Sequence, residues 1–98
     1  MVAKTDLGSL ASIASGGFGE VFRTGFRLPG YRGALAYKEL KSSLSQDKYS
    51  RAVEAMRQAV QLRDSMSDGD RSDLDEVTVW PLALVEEGGV VRGCLMPL

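Results

Sequence analysis

Along the 98 residues the spacing of apolar positions changes twice, from the alternation of strands to the period of a helix and back. Leu7, Leu10 and Ile13 precede the run Ser15-Gly16-Gly17-Phe18-Gly19, and Val21, Phe22 and Phe26 resume a β-rich pattern beyond it. That arrangement predicts two antiparallel strands joined by a glycine-rich tip. Leu28-Pro29-Gly30 and Arg32-Gly33 supply the next turn signal, and residues 34–40 form a third short strand interrupted by Lys38. Over residues 45–67, Tyr49, Ala52, Val53, Met56, Val60 and Met66 recur near three- and four-residue spacing, which predicts an amphipathic helix with Ser43 or Ser45 as its cap. Asp68-Gly69-Asp70 ends that helix, with Asp68 capping a short second turn. Residues 77–85 and 90–96 then read as a second hairpin turning at Glu86-Glu87-Gly88-Gly89. Together these elements predict a single α+β domain over residues 1–98, a five-stranded antiparallel sheet with one long helix on one face.

Composition narrows the chemistry. Twelve Lys and Arg against thirteen Asp and Glu leave a net charge of −1, so there is no broad basic field to draw nucleic acid. The absence of His removes imidazole acid–base catalysis and His-ligated zinc from this chain. Cys94 is the only cysteine, which precludes an intrachain disulfide and fits a buried structural thiol in a reducing compartment, the cytoplasm. Residues 1–10 carry Lys4 and Asp6 and lack the apolar run of a signal peptide. No stretch of about 18 apolar residues exists to span a bilayer, and no membrane partner is expected.

Ile13-Ala14-Ser15-Gly16-Gly17-Phe18-Gly19-Glu20-Val21 and Leu35-Ala36-Tyr37-Lys38 resemble the glycine-rich loop and third-strand lysine motif of eukaryotic-like Ser/Thr protein kinases. Gly16, Gly19, Val21, Ala36 and Lys38 match that pattern, and Ala14 stands where its first glycine would be. The resemblance runs on through a helix in the place of αC to Leu95-Met96-Pro97-Leu98, where such kinases reach the hinge between their lobes. Thr78-Val79-Trp80-Pro81-Leu82 with Gly93-Cys94-Leu95-Met96-Pro97 is similar to kinase-like proteins of high-GC bacteria. The whole chain thus resembles a kinase N-lobe without its C-lobe.

The resemblance implies an ATP-binding lobe. Glycines in a strand-turn-strand let backbone N–H groups approach phosphate oxygens, and Phe18 at the tip helps exclude water. A lysine set among apolar neighbours needs an anionic partner, because burying an ammonium alone is costly. Phosphate oxygens or a carboxylate would supply one for Lys38. Glu54, the only glutamate of the helix, is the candidate that would orient Lys38; Asp64 is a second, and the absence of any ion pair is a third outcome. By the resemblance, Ile13, Val21 and Ala36 form the apolar slot for the adenine ring, with Met96 as gatekeeper and residues 14–19 near the phosphates. The catalytic-loop aspartate, the asparagine and the magnesium-holding D-F-G aspartate belong to the C-lobe and do not occur here. This chain alone is therefore expected to transfer no phosphate, and magnesium to bind only with the missing residues.

Two other readings compete. A standalone kinase-like (pseudokinase) module would bind a protein partner, either a kinase C-lobe or another chain covering the interlobe face, with self-association through that face. A dinucleotide-binding βαβ unit fits poorly, because Gly16-Gly17-Phe18-Gly19 lacks the required spacing and precedes a strand.

Overall fold

The structure, a computed structural model, describes residues 1–77 and 79–98. Strands β1 (Val2–Ala3), β2 (Leu10–Ser15), β3 (Gly19–Thr24), β4 (Leu35–Leu40), β5 (Ala83–Glu87) and β6 (Val90–Pro97) make one sheet in the order β1-β5-β6-β4-β3-β2. A 3₁₀ turn, Lys4–Leu7, follows β1, and helices α1 (Gln46–Asp64) and α2 (Asp68–Val77) connect β4 to β5. No helix among the described residues is long and apolar enough to cross a membrane.

The α+β class holds, but the sheet has six strands and is mixed. The sixth, β1, pairs parallel to β5 through Val2↔Val85 and Ala3↔Glu86, while the other neighbours are antiparallel. Two residues are too few to show an alternation, so β1 leaves no periodic signal. The second correction is α2, a ten-residue helix where only a capped turn was expected. Its sequence, Asp68-Gly69-Asp70-Arg71-Ser72-Asp73-Leu74-Asp75-Glu76-Val77, offers no apolar stripe. Acidic residues in the first turn suit the helix dipole, and Ser67 caps it, its Oγ accepting from the Asp70 N–H at 3.2 Å. The third correction is the strand expected over 77–85, which begins only at Ala83 after Pro81. Thr78 of that stretch lies outside the described residues.

Elsewhere local signals and structure agree. Ser45 caps α1, its Oγ accepting from Lys48 N–H at 3.2 Å. Gly88 and Gly89, at φ 60° and 82°, turn the β5–β6 hairpin as a two-residue loop requires.

The two faces of the sheet carry separate cores. On one, Leu7, Leu35, Tyr37, Leu82, Val85 and Leu95 are buried together, with Phe22, Phe26 and Leu28 against them. On the other, Leu40, Leu84 and Cys94 pack with Met56, Ala52, Val53 and Val60 of α1. Two polar bonds pin the helix side: Tyr49 Oη donates to the Val91 carbonyl at 2.7 Å, and Trp80 Nε1 to the Ala59 carbonyl at 2.8 Å. Because α1 contacts β5 and β6, it leaves the β2–β3 end of the same face open.

Candidate functional site

Strand alternation divides β4 between the two cores. Leu35 and Tyr37 enter the larger cluster, and Leu40 joins the α1 cluster. Lys38, two residues from Leu40, belongs to the α1 side and is half-buried. Its register sets the site. Ala14 pairs with Val21, Val21 with Lys38, and Lys38 with Cys94, so these four form one row across β2, β3, β4 and β6. Ala36 pairs with Met96 two residues along, in the next row of the same face. The expected residues Ala14, Val21, Ala36, Lys38 and Met96 therefore share one surface. Ile13 is set apart by a register shift between Ser12 and Ala14 and is 47% exposed.

The glycine-rich tip closes as a tight hairpin. Gly16 N–H donates to the Gly19 carbonyl at 2.9 Å, and the Phe18 carbonyl accepts from Lys41 N–H at 3.0 Å. Phe18 projects outward, 53% exposed. Gly19 has a packing reason: a Cβ there would collide with the Glu39 carbonyl of β4. Gly16 and Gly17 have only open space around them, so their lack of side chains leaves the tip accessible without being needed by the fold.

Lys38 has no carboxylate within ion-pairing distance among the described residues. Glu54 is exposed on α1, where its Oε1 accepts from Gln58 Nε2 at 3.3 Å and its Oε2 lies 3.8 Å from Arg57. Asp64 lies at the C-terminal end of α1, and Glu39, next to Lys38 in sequence, pairs with Lys4 at 3.0 Å. Cys94 faces Lys38 from β6. Burial pushes its thiol up from 9.0 to about 11, and the nearby Lys38 charge pulls the other way.

No family model, curated protein or solved structure matches this chain. The site therefore rests on its own geometry and chemistry. Two residues on this face lie outside the set expected from sequence. Cys94 was expected to be buried but not to oppose Lys38, a juxtaposition only the β4–β6 register creates. Arg23, opposite Ala36, adds a second cation without an ion pair among the described residues. Counting two residues on from Val21 along β3 would have found it.

Two hollows lie elsewhere. One of about 840 Å³ lies beside Leu28, Tyr31, Arg63, Asp75 and Leu82, and one of about 340 Å³ beside Glu20, Phe22, Glu39 and Lys41. Neither is lined by Lys38. The larger is walled by a tight pair: Arg63, 7% exposed, donates through Nε and Nη2 to Asp75 at 3.0 and 2.7 Å. These hydrogen bonds hold the Arg63 guanidinium above its usual pKa.

Proposed function

We propose that the chain is the ATP-binding N-lobe of a cytoplasmic Ser/Thr protein kinase, unable to transfer phosphate without a C-lobe. The observation that carries this reading is the single face shared by Ala14, Val21, Ala36, Lys38 and Met96 beside an accessible glycine tip. A half-buried ammonium without a carboxylate partner among the described residues fits an anionic ligand, whereas Ala36, 2% exposed, meets a base only once its cover is displaced. In this reading the Lys38 ammonium takes phosphate charge, Ile13, Val21 and Ala36 hold the base, and Met96 limits its depth. Phe18 shields the tip from water. Bound ATP supplies the transferable phosphoryl group; the acids that would hold its magnesium lie in the C-lobe.

A second reading is favoured by one observation, the solvent-facing Glu54. With no acid to orient Lys38, the lobe suits a pseudokinase module whose partner is a C-lobe or another protein covering this face.

Calorimetric titration with ATP, with and without magnesium, separates the two when the Lys38→Ala variant is run beside the parent chain. The nucleotide reading expects saturable binding that weakens about 10- to 100-fold in the variant, the worth of a hydrogen bond to a charged group. A folded parent chain that binds no ATP overturns that reading and leaves the partner-binding module.

A further inference from the structure

β2 is the outer strand of the sheet, and among the described residues β3 alone pairs with it. Its sequence, Leu10-Ala11-Ser12-Ile13-Ala14-Ser15, contains no charge and no proline, and the five residues after Leu10 are exposed. Outer strands of monomers are ordinarily blunted by lysine, proline, shortness or a bulge, because their unpaired backbone groups template another strand. The opposite edge, β1, is blunted by being two residues long. On β2 only one device is present, the irregularity between Ser12 and Ala14.

We infer that β2 pairs antiparallel with β2 of a second copy of this chain, about a two-fold axis at Ile13. Self-pairing is favoured because the strand complements itself: Ile13 meets Ile13, Ser12 meets Ala14, and Ala11 meets Ser15. Every small residue faces a small one, and no like charges meet. A two-fold contact is also closed. It leaves only the two short β1 edges outside, so pairing stops at a dimer. The irregularity at Ile13 and a strand only about 20 Å long keep the contact below the roughly 1,200 Å² of a stable interface, which makes the dimer weak and concentration-dependent. Ile13 also stands beside the base in the nucleotide reading, but the pairing rests on the unpaired backbone edge of β2 and is tested without nucleotide.

Sedimentation equilibrium and amide hydrogen exchange across a wide range of chain concentration test it. The expected result is a monomer–dimer equilibrium in which the outward amides of β2 exchange more slowly as concentration rises. Ile13→Lys and Ile13→Asp should each be monomeric, with like charges opposed at the axis, and mixing the two should restore the dimer. A parent chain that stays monomeric, a dimer indifferent to Ile13→Lys, or protection in another segment overturns the proposal. Should a variant fail to fold, the exchange pattern of the parent chain decides alone: concentration-dependent protection of β2 supports the pairing, and its absence overturns it.

Discussion

Lys38 on β4 and Cys94 on β6 stand directly opposite each other, the ammonium beside a thiol that is 2% exposed. Burial dominates the thiol's behaviour, raising it from 9.0 to about 11 against the pull of Lys38. A group whose folded pKa is raised adds stability that is complete below its unfolded value and is lost as pH climbs through the folded one. Between about pH 9 and 11, Cys94 should therefore remove on the order of 2–3 kcal/mol of stability as it ionises on unfolding. Urea unfolding at a series of pH values, with Cys94→Ala as reference, checks this. The parent chain should lose more stability across that window, and parallel curves would refute the assignment. At pH 8 the native thiol should resist alkylation and become reactive only in denaturant.

Gly93 and Gly19 flank β4 from opposite sides, and a Cβ on either would strike a carbonyl of β4, at Lys38 and Glu39 respectively. Those obstacles are backbone and cannot swing away. Gly93→Ala should cost at least about 1–3 kcal/mol, as overpacking does, and disturb the lysine strand. Gly16→Ala meets open space at an ordinary φ, and its stability should stay within about 0.5 kcal/mol of the parent. Thermal unfolding of the two variants tests the contrast; a loss of nucleotide affinity in Gly16→Ala without a loss of stability would assign that glycine to binding.

The Arg63–Asp75 pair is the tie between the end of α1 and α2. Asp75→Ala would leave a nearly buried guanidinium unpaired, at a cost of roughly 3–5 kcal/mol. The exposed i,i+4 pair Arg51–Asp47 should behave oppositely, with Asp47→Ala costing about 0.3–0.5 kcal/mol or less. Denaturant midpoints measure both. Comparable losses would show that the buried pair does not hold α2.

Tyr37 is fully buried, stacked on Phe22 with ring centroids 6.0 Å apart, and its hydroxyl has no hydrogen-bond partner among the described residues. Burial, reinforced by the Glu39 carboxylate, raises its pKa far above the usual phenol range. Tyr37→Phe removes an unsatisfied group and keeps the ring, so it should stabilise the fold by roughly 1 kcal/mol. A destabilised variant in urea titration would reveal a partner for the hydroxyl.

What could be read from the sequence follows the range of the forces involved. Gly88-Gly89, Ser45 and the lysine-bearing strand act through their own neighbours, and each was legible. α2 was not, because its ten residues carry little apolar surface and its tertiary tie is one ion pair to Arg63, twelve residues back. β1 leaves no signal in the sequence because two residues hold no period, and its partner Val85 lies at the other end of the chain. At the site, residue type pointed to Lys38 and the kinase resemblance alone to Val21, Ala36 and Met96, but only pairing register brings Cys94 and Arg23 beside them. Glu54 shows the reverse case: a helical position beside Val53 can face the core or the solvent, and here it pairs within its own helix.

The β4–β6 pairing has a kinetic consequence. The hairpins β2–β3 and β5–β6 close over short loops, whereas Ala36 must find Met96 across both helices. That search carries a loop-closure entropy paid before any reward, and chains dominated by such contacts fold in milliseconds to seconds. During that interval each hairpin is a two-stranded ribbon that is marginal alone. The surface that bears Lys38 thus comes into being late, at the moment the two ends of the chain are stitched together.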